Sequence, residues 1–197
     1  MRLVALAAAA IAGATIGPAA TGFVAAPGRV VTVAHAVPGA TAAARGGDGI
    51  VRRGSVVWRD ESLDLAVVAL PGLGKLEHRD GALDPRPSGL ARSSAATTVL
   101  VRRHGAVTAL SATLVRRAAA RVRSGDGGLL ARRPVLELRA SIRAGDSGAP
   151  VLDAGGRVVG VVFARSRARP GTAYAVDAAG SERLPPWRAG RQTAGSG

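Results

Sequence analysis

About ten short runs rich in valine, leucine and threonine, each closed by a glycine, proline or polar turn, set the tightest limit on what this chain can fold into. They fall at 21–26, 29–34, 54–58, 65–70, 97–103, 106–115, 134–140, 149–152, 157–163 and 172–176. Pro27-Gly28 marks the first pair as a hairpin. Strands that succeed one another at this spacing, with no sustained helical period between them, predict an all-β barrel or sandwich rather than alternating β and α units. From Pro71 to Ser94 the rhythm stops, with Pro71, Gly72, Gly74, Gly81, Pro85, Pro87 and Gly89 in place of apolar runs. This stretch reads as a linker over 71–94 between two β halves, one over about 18–70 and one over about 95–179. Residues 180–197, with two adjacent prolines and small polar residues, read as a flexible tail.

A chain of 197 residues can bury a core without covalent staples. The absence of cysteine excludes thiol catalysis, thiolate metal sites and disulfides. His35, His78 and His104 lie far apart, with no spacing that would put two ligands on one helical face, so neither a metal nor another cofactor is expected. The formal net charge is +14, almost all of it from arginine, since Lys75 is the single lysine. Such a field attracts acidic partners. Aromatic residues make up only 3% of the chain, too few for a base-stacking platform, and the pairs Arg52/Arg53, Arg102/Arg103, Arg116/Arg117 and Arg132/Arg133 are scattered. The charge therefore reads as solvated surface, and no specific nucleic-acid partner is expected.

Residues 3–28 carry no charge. Met1-Arg2 followed by LVALAAAAIAGA has the form of a secretory signal or a weak membrane anchor, although its alanines and glycines make it less apolar than a good spanning helix. A first buried strand is the alternative, and residues 1–17 are left open between the two. A signal or anchor would imply an extracytoplasmic location and contact with a membrane.

The chemistry concentrates in GDSGAP, Gly145 to Pro150. A serine hydroxyl attacks only when a base takes its proton, and the oxyanion it creates needs donors. Ser147 would be the nucleophile, and the N–H groups of Gly145 and Ser147 the donors. Taken alone, such a loop is also an ordinary polar turn. A base is available in VVTVAHAV, where His35 follows a strand of small and β-branched residues, although a lone histidine in an apolar stretch is more often a structural residue. In SLDLAVVAL, Asp64 abuts an apolar run, where a carboxylate is costly unless hydrogen-bonded. Accepting the Nδ1–H of His35 would satisfy it and hold the reactive tautomer. Asp60, in the polar turn WRDES, is the competing carboxylate. Together the three stand in the order His, Asp, Ser, with Asp64 placed 29 residues after His35. His35 and Asp64 would belong to the first β half and Ser147 to the second, with the active site in the cleft between them.

With these residues in hand, the chain resembles the trypsin-like serine proteases of the compact bacterial type, in particular the actinobacterial membrane-anchored acid-resistance proteases of the MarP-like group. The resemblance runs from about Thr21 to Ala178 and rests on TGFVAAPGRVVTVAHAV, LDLAVVALP, ELRASIRAGDSGAPVLDAGGRVVGVVFA and YAVDA. It implies two six-stranded antiparallel β-barrels of the chymotrypsin-like kind and a serine endopeptidase acting through an acyl-enzyme on polypeptide substrates. The family's triad carries over onto His35, Asp64 and Ser147, and its oxyanion hole onto Gly145 and Ser147. The base of the specificity pocket falls at Ser141, six residues before the nucleophile, and the substrate-facing strand at Phe163, Ala164 and Arg165. Serine in place of an aspartate argues against cleavage after lysine or arginine. Small or medium apolar residues fit better, and acidic ones could pair with Arg143 or Arg165. Ala149 replaces the family's third motif glycine, and Val33 stands where alanine or asparagine is common. The family's multi-span membrane domain and its activation sequence have no counterpart in these residues. The alternative function is a catalytically silent member of this fold that binds peptides or anionic surfaces.

Overall fold

The computed structural model describes residues 12–16, 20–72, 94–123 and 129–179. They form two closed antiparallel barrels of six strands each. The first runs β1 (Ala12–Ile16), β2 (Ala20–Ala26), β3 (Arg29–Thr32), β4 (Thr41–Arg45), β5 (Val51–Asp60) and β6 (Leu65–Ala69), in the order β1-β2-β3-β6-β5-β4. The second comprises β7 (Ala96–Arg103), β8 (Ala106–Arg123), β9 (Leu129–Arg139), β10 (Pro150–Leu152), β11 (Val158–Arg165) and β12 (Thr172–Asp177), in the order β10-β11-β12-β9-β8-β7. This is the all-β architecture that the strand pattern predicts, in the chymotrypsin-like double-barrel form that the resemblance implies.

The apolar runs are nearly continuous rather than alternating because many of these strands are buried on both faces. Val24, Val30, Ala66 and Val68 belong to a core cluster made of first-barrel residues, while their neighbours Phe23, Val31, Leu65 and Val67 belong to another. That second cluster also contains Leu100, Leu152, Val158, Val161 and Val176, so it is the seam between the barrels. Val99, Val101, Val159 and Val162, one residue away along the same second-barrel strands, pack within the second barrel. Full burial of one such side chain is worth about 1.5–3 kcal/mol. The seam therefore fixes one barrel against the other, and with them the residues at its mouth.

Several elements depart from the pattern in the sequence. β4, TAAAR, has almost no β-branched residues and is not expected as a strand. It forms because both its edges are taken, Ala44 pairing with Arg52 of β5 and with Ile16 of β1. β1 occupies Ala12–Ile16 within the ambiguous opening segment and closes the first barrel by pairing with β2 and β4. β3 ends at Thr32 rather than residue 34, and a 3₁₀ turn over Ala34–Ala36 follows it. β8 continues to Arg123, well past residue 115, because β9 pairs alongside its alanine- and arginine-rich second half. Pairing here overrides local propensity. Most of the expected linker, 73–93, the tail from 180, and residues 1–11 and 17–19 lie outside the described residues. Among the described residues, no helix is long and apolar enough to cross a membrane.

Candidate active site

His35 sits in the 3₁₀ turn that ends β3, and Asp64 in the tight turn from β5 to β6. The β3–β6 pairing of Thr32 with Ala66 brings the two turns together. Three hydrogen bonds lock them: the Ala34 N–H donates to the Asp64 carbonyl at 3.0 Å, the His35 N–H to Asp64 Oδ1 at 3.0 Å, and His35 Nδ1 to Oδ2 at 2.8 Å. Asp64 achieves this with φ of 57°, in the left-handed region that aspartate tolerates better than most residues. Because Oδ2 of an ionised carboxylate can only accept, Nδ1 carries the proton and Nε2 is left as the basic nitrogen. The carboxylate raises the His35 pKa above its ordinary value, against opposing effects of burial and of the Arg133 guanidinium.

Asp60, the competing carboxylate, is engaged elsewhere. Its Oδ1 accepts from Ser62 Oγ at 2.5 Å and from the Leu63 N–H at 3.0 Å, which makes it the cap of the turn that presents Asp64.

On the second barrel the loop 143–149 turns sharply. The Asp146 N–H donates to the Arg143 carbonyl at 3.2 Å with Gly145 at φ of 93°, the geometry of a type II turn, which needs a residue free of Cβ at that position. Among the described residues neither the Gly145 nor the Ser147 N–H has a protein acceptor. The two unengaged N–H donors flank Asp146 in this loop. Ser147 Oγ donates to the Phe163 carbonyl at 3.4 Å, and no hydrogen bond joins it to His35 among the described residues.

Two supports of this loop escaped the sequence reading. Thr21 of β2, almost fully buried, reaches across from the first barrel: its N–H donates to the Ser147 carbonyl at 2.7 Å and its Oγ1 to the Gly145 carbonyl at 2.9 Å. Gly148 makes that approach possible, since a Cβ there would lie 1.8 Å from the Thr21 carbonyl oxygen. The second support is Asp146, only 1% exposed, whose carboxylate takes Arg103 Nη2 at 2.5 Å, Arg103 Nε at 3.2 Å and the Arg143 N–H at 2.8 Å. The same carboxylate holds the Arg103 pKa up.

Arg103 and Arg133 belong to basic pairs that read in sequence as solvated charge. For these two members that reading is corrected, because both guanidinium groups serve the site: Arg103 is the partner of Asp146, and Arg133 is only 7% exposed. Nothing in the spacing of the pairs marks these two, since their acidic partners come from a loop and a turn distant in sequence.

Of the remaining expected residues, Ser141 is exposed, and its carbonyl accepts from Arg103 Nη2 at 3.1 Å. Phe163 is the extra residue of a bulge in β11, between Val162 paired with Ala175 and Ala164 paired with Tyr174. Arg143 and Arg165 are exposed. Ala149 lies outside the left-handed region and is fully buried, and Val33 is a core residue of the first barrel. Among the described residues no cluster could hold a metal ion.

Residues 20–161 match the model of the trypsin-like peptidase domain. Serine protease Rv3671c of Mycobacterium tuberculosis is 35% identical over 150 residues, a match covering 73% of this chain and 35% of that protein. The chain thus spans about a third of the length of the curated relatives it matches. The crystal structure of the Rv3671c protease in its inactive form superposes with a TM-score of 0.72 at 29% identity, covering 89% of this chain and 87% of that one. The active form gives 0.68 at 30% identity, over 80% and 68%. An HtrA-type protease, AlgW, shares the fold at a TM-score of 0.62, 21% identity and coverage of 80% and 47%.

Proposed function

Because the chain belongs to the trypsin-like peptidase family, we propose that it is a serine endopeptidase in which Ser147 attacks a peptide carbonyl, His35 moves the proton and Asp64 orients His35. The observation that carries this reading is the 2.8 Å contact of His35 Nδ1 with Asp64 Oδ2, which leaves Nε2 as the basic nitrogen.

In the proposed cycle a polypeptide enters the cleft, and the Ser147 hydroxyl gives up its long bond to the Phe163 carbonyl for one to His35 Nε2. Such bonds are often loose in an unliganded enzyme and tighten with substrate. As Oγ bonds to the carbonyl carbon, its proton passes to Nε2, and the imidazolium is stabilised by Asp64, which stays ionised. The carbonyl oxygen, now an oxyanion, takes the Gly145 and Ser147 N–H groups, worth about 2.7–4 kcal/mol for a single such donor. Collapse of this intermediate breaks the C–N bond, with Nε2 returning its proton to the amine. Water then repeats the sequence on the acyl-enzyme. Ser141, Phe163, Ala164 and Arg165 would line the substrate side.

The closing experiment is labelling with a fluorophosphonate probe, which requires nucleophile, base and oxyanion donors together. Label on Ser147 that is lost with peptide cleavage in Ser147→Ala, at unchanged fold, is the expected result. An unlabelled wild type that still binds peptides would favour the silent, peptide-binding alternative. An extracytoplasmic location remains part of the proposal, and protection of the chain from cytoplasmic protease in intact cells tests it.

A further inference from the structure

We infer that Arg133 is a positioning residue of the triad, clamping the Asp64 turn of the first barrel to the second barrel and holding a fixed positive charge against the Asp64 carboxylate. The inference rests on the triad reading above and extends it to a residue of the other barrel.

Arg133 projects from β9, yet its contacts are with the first barrel and with Phe163 of β11. Its Nε donates to the Ser62 carbonyl at 2.8 Å and its Nη2 to the Glu61 carbonyl at 3.3 Å, while Nη1 lies 3.9 Å from Asp64 Oδ2. The guanidinium lies over the Phe163 ring, with Cζ 4.7 Å from its centroid. Phe163 supplies the carbonyl that accepts the Ser147 hydroxyl. One side chain therefore touches the turn that presents Asp64 and the residue that receives Ser147. Two carbonyls, one carboxylate and one ring face are what a planar five-donor cation can satisfy at once, and a lysine cannot.

The turn needs such a brace. Asp64 holds a left-handed conformation, and within the turn its N–H has only a long bond to the Glu61 carbonyl, 3.3 Å. Asp60 caps the start of the turn, and Arg133 ties its next two carbonyls down. At 3.9 Å Nη1 is too far to donate a hydrogen bond to Oδ2, so it does not compete with His35 Nδ1. What acts at that distance is the charge.

The charged groups facing His35 are Asp64, from the β5–β6 turn, and Arg133, from β9. Asp60 lies close enough to Arg133 to act on it electrostatically. Arg59 of β5 binds the carbonyls of Val37, Pro38 and Gly39 just downstream of His35 and faces Glu61 at 3.8 Å. The guanidinium opposes protonation of His35 while Asp64 favours it, so removing the Arg133 charge makes the imidazole more basic.

The test uses the full chain, wild type, Arg133→Gln and Arg133→Lys, with steady-state cleavage of a peptide substrate across pH and fluorophosphonate labelling at Ser147. Arg133→Gln is expected to move the acid limb of kcat/KM upward by about half a pH unit and to lower kcat about tenfold, with KM little changed. Arg133→Lys keeps the charge without the fork or the flat face, so its acid limb stays at the wild-type position while kcat falls several-fold. A folded Arg133→Gln with the wild-type limb overturns the inference, because a purely structural brace would not move it. Should the glutamine variant fail to fold, the lysine variant decides, and wild-type kcat in it overturns the clamp. If the wild type neither labels at Ser147 nor cleaves, the triad reading falls, and this inference with it.

Discussion

His35 and Asp64 hold each other through two separate hydrogen bonds, ring Nδ1 to Oδ2 at 2.8 Å and backbone N–H to Oδ1 at 3.0 Å, so one carboxylate sets both the position of the histidine and the orientation of its ring. The consequences of this arrangement, and of the supports around it, are open to measurement.

Asp64→Asn keeps the shape of the side chain but can present an N–H to Nδ1 and so favour the wrong tautomer. A fall in kcat of about 10⁴-fold with nearly unchanged KM is expected. Asp60→Asn alters the cap of the turn and removes a charge near Arg133 but not the contact with His35, and should cost activity far less, with a loss of stability of about 1 kcal/mol. Steady-state kinetics on both variants decide, and a larger kinetic loss from Asp60→Asn would show that the wrong carboxylate has been assigned.

The pH dependence has a definite sign. As the proposed base, His35 would act only when neutral, and Asp64 raises its pKa. The acid limb of kcat/KM should therefore lie above the ordinary histidine value of about 6.5. The same shift makes the imidazolium–carboxylate contact stabilise the fold fully below about pH 6.5 and lose that contribution as pH rises through the raised pKa. Comparing Tm against pH for wild type and His35→Ala checks this, the gap between them being wider at low pH.

Arg103→Met leaves the Asp146 carboxylate buried without its cation. The expected loss is about 3–5 kcal/mol in denaturant unfolding. Adding Asp146→Asn should recover part of it, since the neutral amide needs no cation. Labelling at Ser147 should weaken in the single variant even where it remains folded, because Asp146 anchors the loop that carries both N–H donors.

Gly148→Ala would place a methyl group 1.8 Å from the Thr21 carbonyl oxygen, at a φ of 88° that already disfavours any side chain. The barrels would have to part at this point, or the loop would have to shift. Loss of labelling together with a lowered Tm is expected. Retention of full activity would mean that the Thr21 brace is dispensable.

If Ser141 forms the base of the specificity pocket as proposed, specificity would follow from a serine in place of a carboxylate. A lysine or arginine side chain entering that pocket would find no charged partner, and the exposed Arg143 and Arg165 add positive charge to this side of the enzyme. Profiling with a peptide library should show cleavage mainly after small or medium apolar residues, with acidic residues tolerated. A dominant preference for lysine or arginine would place the pocket on other residues.

Much of the fold is legible in sequence, for a physical reason: strands buried on both faces must be continuous apolar runs, and VVTV, LAVVAL and RVVGVVF are such runs. What escaped detection had no local signal. β4 is an alanine-rich strand made by its neighbours, and the far half of β8 is arginine and alanine held by β9. Neither carries the β-branched content on which a strand assignment depends.

The chain's residue order determined the all-β class in two halves, the GDSG loop and the candidates His35, Asp64 and Ser147, because these rest on short segments whose meaning is local. Tertiary structure alone decided that Asp64 rather than Asp60 meets His35, that Thr21 crosses the seam to hold the serine loop, and that Arg103 and Arg133 leave solvent for buried carboxylates and carbonyls. Each of those depends on partners brought together by barrel closure from distant parts of the chain. Electrostatic and hydrogen-bonding roles are properties of distance in space, and an arginine in a basic pair looks the same in sequence whether it faces water or a buried aspartate.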